Sequence, residues 1–404
     1  SAFYHFMTKP PDPMIAGPSW RDTWLKRLNH WEPPASHIWM KHQRRNDYWR
    51  HGSICENYSD IECAVYAVGG WEDGYSNAVP RLLANLSCPR KGLIGPWGHK
   101  YPEDGIPGPA IGFLGHALRW WDYWLRDIDT GIMNEPAYTV FMQDYVAPRA
   151  SLSQVPGRWV SEQVWPSNRT ELMTLAINSD GLGINPKAEA SIEHRSPQTL
   201  GVTGGNWCPY GMGGSSPDLA IDQGEDDGRS LCFESEPLIE SVSLLGAPVA
   251  YLSLAIDRPQ GFIVVRLIDV SPSGGSRRVS YGMLNLSHRD DHENIAPMIP
   301  DARTEVSVRL NDLAHQFGGG HRIRLSVSTS YWPMVWPSPT AVSLTLTTGI
   351  SRLELPVRPP LEDDIDEPSF GPVEMAPMAS THVIQKPTAT RTVDRNLDSG
   401  EWIE

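Results

Sequence analysis

The sequence predicts an α/β segment with helices in front of it and an all-β domain behind it. Three observations carry this. Helical spacing without strands runs from Ser1 to about Ile54. A strand–helix–strand pattern occupies Ile61–Tyr101. Beyond about residue 150 helical periodicity gives way to short apolar runs separated by Gly, Pro, Asn and Asp. A chain of 404 residues has room for two or three domains with substantial cores. Its 40% hydrophobic and 20% charged residues are those of a globular protein.

In the first stretch Trp20, Trp24, Leu25 and Leu28 form one apolar stripe, which Pro33-Pro34 breaks. His37–Arg50 resumes helical spacing with Ile38, Trp39, His42, Arg45 and Trp49, and its charges, with His42 and His51, read as a wet face. Ala64–Val68 then reads as a buried strand bounded by Gly69-Gly70. Leu82, Leu83 and Leu86 follow at helical spacing with Pro80 near the helix start, and Leu93-Ile94 make a second strand ending at Gly95-Pro96. A crossover of this kind makes the two strands parallel, with both carboxyl ends on one sheet edge. Asp73 follows the first strand and His99 the second, so residues 26 positions apart meet on the rim where open α/β sheets place ligands.

An acid followed by a histidine is the second half of the Ser…Asp…His chain order of α/β-hydrolases. The alternative is a strand-end Asp that caps the next helix and a histidine that is merely exposed. The surrounding words favour the first reading. Gly70, Trp71, Asp73 and Gly74 in GGWEDGY, and Gly95, Pro96, Trp97 and His99 in GPWGHKYP, resemble the triad-acid and triad-histidine motifs of the CocE/NonD hydrolases and their Xaa-Pro dipeptidyl-peptidase relatives. Glu72 is the rival carboxylate, and the resemblance alone selects Asp73. It implies a serine hydrolase that cleaves an ester or amide through an acyl-enzyme. In that scheme His99 is the general base, then the general acid, and Asp73 holds its tautomer. Trp71 and Trp97 flank the pair and are expected to wall an acyl pocket, with packing as their alternative role.

A nucleophile elbow of the G-x-S-x-G kind is missing. Gly17-Pro18-Ser19-Trp20-Arg21 lacks the final Gly and a preceding strand, and Gly214-Ser215-Ser216 follows the histidine in a loop-like stretch. The expectation is therefore a carboxyl-terminal portion of a longer hydrolase, with the nucleophilic serine and oxyanion donors upstream of Ser1. In the resembling family the stretch before the acid is a helical cap, and Pro10–Pro13 and the HQRRNDYWRHGS run look like family words.

After His99, Pro102–Pro109 is a Gly/Pro-rich loop, and Ile111–Ile128 reads as an amphipathic helix resembling the one that closes the hydrolase domain. Val140–Met142 begins a strand, and Pro156–Pro166 resembles the family's junction into its second domain. The apolar runs Thr174–Ile177, Ser241–Leu245, Val249–Ile256, Phe262–Val270, Val279–Leu284, Thr304–Leu310, Ile323–Thr329 and Leu344–Thr348 read as a β-sandwich. The resemblance makes it a jelly roll. Residues 183–227 form a Gly/Pro/Asp-rich insertion expected to span both domains, and 361–368 open an acidic run and polar tail without recognisable chemistry. The expected fold is thus α/β plus all-β: a helical cap (1–60), a partial α/β-hydrolase domain (61–150) and a jelly-roll β-sandwich (151–404).

A net charge of −14 argues against a nucleic-acid surface, and no apolar run approaches the roughly 18–20 residues of a membrane span. Five cysteines without a C-x-x-C pair favour free thiols in a reducing, cytoplasmic setting. His288 and His292, four apart, follow a strand and read as a polar loop rather than a metal site; Gly318–Gly320 precedes a strand and so makes no phosphate loop. No metal and no cofactor are expected. The expected substrate is a small ester or amide or a short peptide, with homo-oligomerisation open. A different class stays open as well: an inactive remnant whose β-sandwich is a binding module.

Overall fold

The structure, a computed structural model, describes residues 8–30, 35–209, 219–361, 364, 368, 370–377, 382, 390–399 and 401–403. The chain divides into two units, Ser1–Asn57 with Asp290–Ile295, and Tyr58–Arg289 with Ala296–Glu404.

The first unit is helical, as its periodicity predicts. It holds α1 (Pro13–Ala16), α2 (Trp20–Asn29), α3 (Ala35–Trp39) and α4 (Asp47–Arg50). Asp12 caps α1 by accepting from Met14 N–H at 2.8 Å, and the Trp20 and Trp24 rings stack at 6.2 Å on one face of α2. The helix expected over 37–50 is interrupted between Trp39 and Asp47, where Trp49 Nε1 donates to His42 O at 2.8 Å and holds the turn. The segment 290–295 joins this unit: Arg45 N–H donates to His292 O at 3.0 Å, and Arg50 pairs with Glu293. Ser19 is the residue before α2 and is preceded by a turn, so it lacks the strand of a nucleophile elbow. Gly214–Ser216 lies outside the described residues.

The second unit begins with β1 (Val65–Gly70), α5 (Ala78–Asn85), β2 (Arg90–Gly95), α6 (Phe113–Arg126) and β3 (Tyr138–Asp144). β1 and β2 are parallel from Val65↔Arg90 to Gly70↔Gly95, and β3 continues in parallel beside β2. β4 (Gly157–Glu162) turns back antiparallel along β3. The β-rich remainder comprises β5 (Glu171–Asn178), β6 (Gly181–Gly183), β7 (Ala190–His194), the short α7 (Gly224–Asp227), β8 (Leu231–Glu234), β9 (Val242–Gly246), β10 (Val249–Ile256), β11 (Phe262–Val270), β12 (Ser276–Asn285), β13 (Thr304–Arg309), β14 (Leu313–Phe317), β15 (Arg322–Ser328) and β16 (Leu344–Val357).

One sheet runs β1-β2-β3-β14-β9-β16-β10-β13, and a second runs β12-β11-β15-β8. Leu252, Leu254, Leu344 and Leu346 of the first sheet and Ile263, Leu267 and Leu325 of the second meet in one core, each at most 1% exposed. This is a partial α/β-hydrolase sheet followed by a β-sandwich. The two are joined without a break: β14 lies parallel to β3 at His315↔Gln143 and Gln316↔Asp144, so backbone pairing crosses residue 150. β7, β8 and β14 are strands that the sequence pattern leaves as loop. Among the described residues no helix is long and apolar enough to cross a membrane.

Candidate active site

β1 and β2 end at the same level of the sheet, and the turns that leave them are bonded to each other. Trp71 N–H donates to Gly95 O at 2.9 Å, and Glu72 N–H donates to Trp97 O at 3.0 Å. The approach is so close that a Cβ on Gly70 would overlap the Trp97 carbonyl oxygen, which is why the acid turn needs glycine there. Asp73 N–H turns back to Gly70 O at 3.2 Å, and Tyr75 N–H donates to Asp73 Oδ1 at 3.0 Å. The other carboxylate oxygen, Oδ2, lies 2.9 Å from His99 Nδ1. Asp73 is largely covered at 13% side-chain exposure, while His99 at 45% keeps its ring toward solvent. A shielded carboxylate behind an accessible imidazole can set the ring's tautomer and stabilise its cation while leaving it available for proton transfer.

Glu72, next in sequence, faces away from the histidine. Its Oε1 lies 3.7 Å from Arg277 Nη2, and Arg277 also donates to Gln143 Oε1 at 2.8 Å. Trp71, Glu72 and Asp73 line a cavity that continues past Asn206 and Trp207 to Arg277 and Asp312. Trp71 is anchored there by its indole N–H, which donates to Phe141 O at 2.8 Å.

Trp97 departs from expectation. It is 1% exposed, its indole N–H donates to Pro109 O at 2.8 Å, and it packs with Leu93, Ile111, Phe141 and Trp159. Two residues past the end of β2, its ring folds back over Gly95, where a Cβ would overlap it, and joins Leu93 in the core. Its place is in the core rather than in a pocket wall.

Three residues that sequence reasoning passed over complete the rim. The loop 206–209 reaches it from the Gly/Pro-rich insertion. Pro209 O accepts from His99 N–H at 2.9 Å, Trp207 packs edge-on to Tyr75 at 5.3 Å, and Cys208 Sγ lies 3.7 Å from Asp73 Oδ1. Burial, with the Asp73 carboxylate beside it, holds the Cys208 thiol above its ordinary pKa. An insertion expected to span the domains was the only signal for these contacts.

Known proteins resemble the chain over both of its parts. Residues 130–392 match the X-Pro dipeptidyl-peptidase C-terminal non-catalytic domain, and residues 14–101, which include Asp73 and His99, match the X-Pro dipeptidyl-peptidase S15 family. The chain belongs to the CocE/NonD group of X-Pro dipeptidyl-peptidase-like hydrolases. A candidate serine esterase of Mycobacterium bovis is 26% identical over 353 residues, covering 78% of this chain and 52% of that protein. A CocE/NonD family hydrolase from Staphylococcus aureus superposes with a TM-score of 0.63 at 13% identity, covering 84% of this chain and 62% of the other. An aminopeptidase from a marine-sediment Thaumarchaeota archaeon gives 0.62 at 18%, covering 79% and 60%. The chain spans about half the length of the curated relatives it matches.

Proposed function

We propose that this chain supplies the acid and the base of a serine hydrolase that cleaves an ester or amide bond through an acyl-enzyme. The observation that carries the reading is the Asp73–His99 pair at 2.9 Å on the rim of two parallel strands. His99 would take the proton of a serine hydroxyl as that oxygen attacks the substrate carbonyl, then return it to the leaving group. Asp73 would hold Nδ1–H and stabilise the imidazolium. The serine and the oxyanion donors belong, in this proposal, to residues that precede Ser1 in a longer protein. The cavity beside Trp71, Glu72 and Trp207 would receive the acyl part of a small ester, amide or short peptide. Five cysteines without a disulfide among the described residues support a reducing, cytoplasmic setting.

The test uses a longer version of the protein that carries an elbow serine. A fluorophosphonate should label that serine stoichiometrically, and His99→Ala should abolish labelling. The chain 1–404 should remain unlabelled. Labelling of Ser19 or any other serine within residues 1–404 would overturn the assignment of the nucleophile.

A further inference from the structure

Beside the acid–histidine pair stands a third metal-ligating side chain, which hydrolysis does not use. One donor atom each from Asp73, His99 and Cys208 lies within 4.8 Å of the others. Carboxylate oxygen, imidazole nitrogen and thiolate sulfur are all donors that zinc accepts, and three protein ligands with one open position are a common zinc arrangement. Zinc bonds of about 2.0–2.3 Å in a tetrahedron place neighbouring donors about 3.3–3.8 Å apart. His99 Nδ1 lies 2.9 Å from Asp73 Oδ2 and Cys208 Sγ 3.7 Å from Asp73 Oδ1, so one carboxylate already stands between the other two ligands, and a common metal needs only small side-chain adjustments to draw the three donors to that spacing. The ligands are also held by backbone: Pro209 O ties the cysteine loop to His99 N–H, and Tyr75 N–H ties down the acid turn. His99 is half exposed, so solvent reaches the site.

We propose that Asp73, His99 and Cys208 form a three-ligand site for zinc or a similar borderline-soft divalent cation. Binding replaces the thiol proton, which leaves to solvent, by a metal–sulfur bond. It also engages the His99 ring and the Asp73 carboxylate that otherwise bond to each other. Where the hydrolase reading above holds, such a cation is an inhibitor, because a metal-bound imidazole no longer shuttles the proton of the nucleophile. That consequence rests on the hydrolase reading; the site itself does not. The only metal-like spacing in sequence, His288 and His292, read as a polar loop, and the three ligands here escape any spacing rule because they are spread over 135 positions.

The experiment needs no substrate. The chain 1–404 is titrated with Co2+ alone and followed by its thiolate-to-cobalt absorption. The band should saturate near one equivalent, vanish in Cys208→Ser, weaken in His99→Ala and persist in Cys63→Ser. In the unaltered chain, alkylation of Cys208 by iodoacetamide, read by peptide mass spectrometry, should slow about tenfold at free Zn2+ of about ten times Kd. Chelation should restore it, and Cys63 should react at the same rate throughout. A band that survives Cys208→Ser or is unchanged in His99→Ala overturns the site. So does unprotected alkylation without any band. None of these readouts depends on turnover, so a failed site and a failed hydrolase assignment are distinguishable.

Discussion

The β-sandwich and the strand–helix–strand rim are closed to different degrees. In the sandwich, Ile263, Val265 and Leu267 of β11 and Leu344 and Leu346 of β16 are wholly buried, and both sheets contribute to one core. In the rim, β1 is an end strand of its sheet. On α6, Trp120 is 3% exposed, whereas Leu114, Leu118, Trp121 and Leu125 stand 45–72% exposed along the opposite stripe. The candidate chemistry sits on this less covered half, held to the better covered one by Glu72–Arg277, Asp73–Cys208 and His99–Pro209. The contrast predicts that stability and reactivity answer to different side chains here.

The strongest way to break that separation is at the rim. In a longer protein that carries the nucleophile, His99→Ala should lower kcat by about four orders of magnitude with little change in KM. Asp73→Asn should do nearly the same, and the double substitution should cost about as much as His99→Ala alone. Glu72→Gln should cost far less, since Glu72 bonds toward Arg277 rather than His99. Melting temperature should barely move for His99→Ala. A large drop in melting temperature would mean the rim is structural, and equal damage from Glu72→Gln would mean the acid is misassigned.

The sandwich should answer in the opposite way. Phe317 is wholly buried in its core, and Phe317→Ala should cost about 3–5 kcal/mol in denaturant unfolding. Turnover per folded molecule should hardly change. If unfolding is broad and Phe317→Ala alters only part of it, sandwich and rim unfold separately and the shared sheet does not couple them.

A smaller effect is expected at the seam. Arg358, 1% exposed, donates to Glu162 Oε1 of β4 at 2.7 Å and to both oxygens of Asp364 at 2.6 and 2.7 Å. Burial alone would raise the Asp364 carboxyl pKa, but the Arg358 guanidinium outweighs it and holds that carboxyl below its ordinary value. The pair's contribution is therefore present above the ordinary carboxyl value and lost as pH falls through the lower, folded one. Asp364→Asn should cost about 1–2 kcal/mol at neutral pH. Between about pH 5 and pH 2 its melting temperature should fall less steeply than that of the parent chain. Parallel pH curves would show that Asp364 is not the group responsible.

Much of this was legible from sequence, for reasons that differ by element. Val249–Ile256 and Phe262–Val270 coincide with observed strands because strongly apolar runs admit few other readings. Asp73 and His99 were brought to one rim by the parallel crossover, and only the family resemblance of the words around them singled them out, Asp73 over Glu72 included. β14 was missed because five residues carrying His315 and Gln316 have no apolar pattern, yet within the first sheet it joins β3 of the hydrolase part to β9 of the sandwich. Trp97 takes the packing role that the sequence left open beside the pocket-wall one, because nearness to His99 along the chain does not say which way a side chain turns beyond the strand end. Cys208 was invisible for the converse reason: 135 positions of chain separate it from Asp73, and only tertiary structure brings them together.

The smallest expected effect lies on α6, and it tests the comparison within one helix. Leu118 and Trp121 are 56% and 54% exposed, so little apolar surface is hidden by either. Truncating an exposed side chain forfeits little burial, and Leu118→Ser should change the stability of the chain 1–404 by about 0.5 kcal/mol or less. Trp120→Ala, next to Trp121 but on the buried side of the helix at 3% exposure, should cost about 3–5 kcal/mol. The stripe is nonetheless a continuous apolar surface, and such surfaces bind hydrophobic dyes and associate. Leu118→Ser with Trp121→Ser should therefore reduce dye fluorescence and concentration-dependent light scattering while leaving the melt unchanged. A substantial stability loss in the chain 1–404 would mean that the stripe is already packed, and that the rim is as fully covered as the sandwich. The same pair of substitutions in a longer protein carrying the nucleophile supplies the contrast: a loss of stability there, against none here, would identify α6 as a face that additional polypeptide covers.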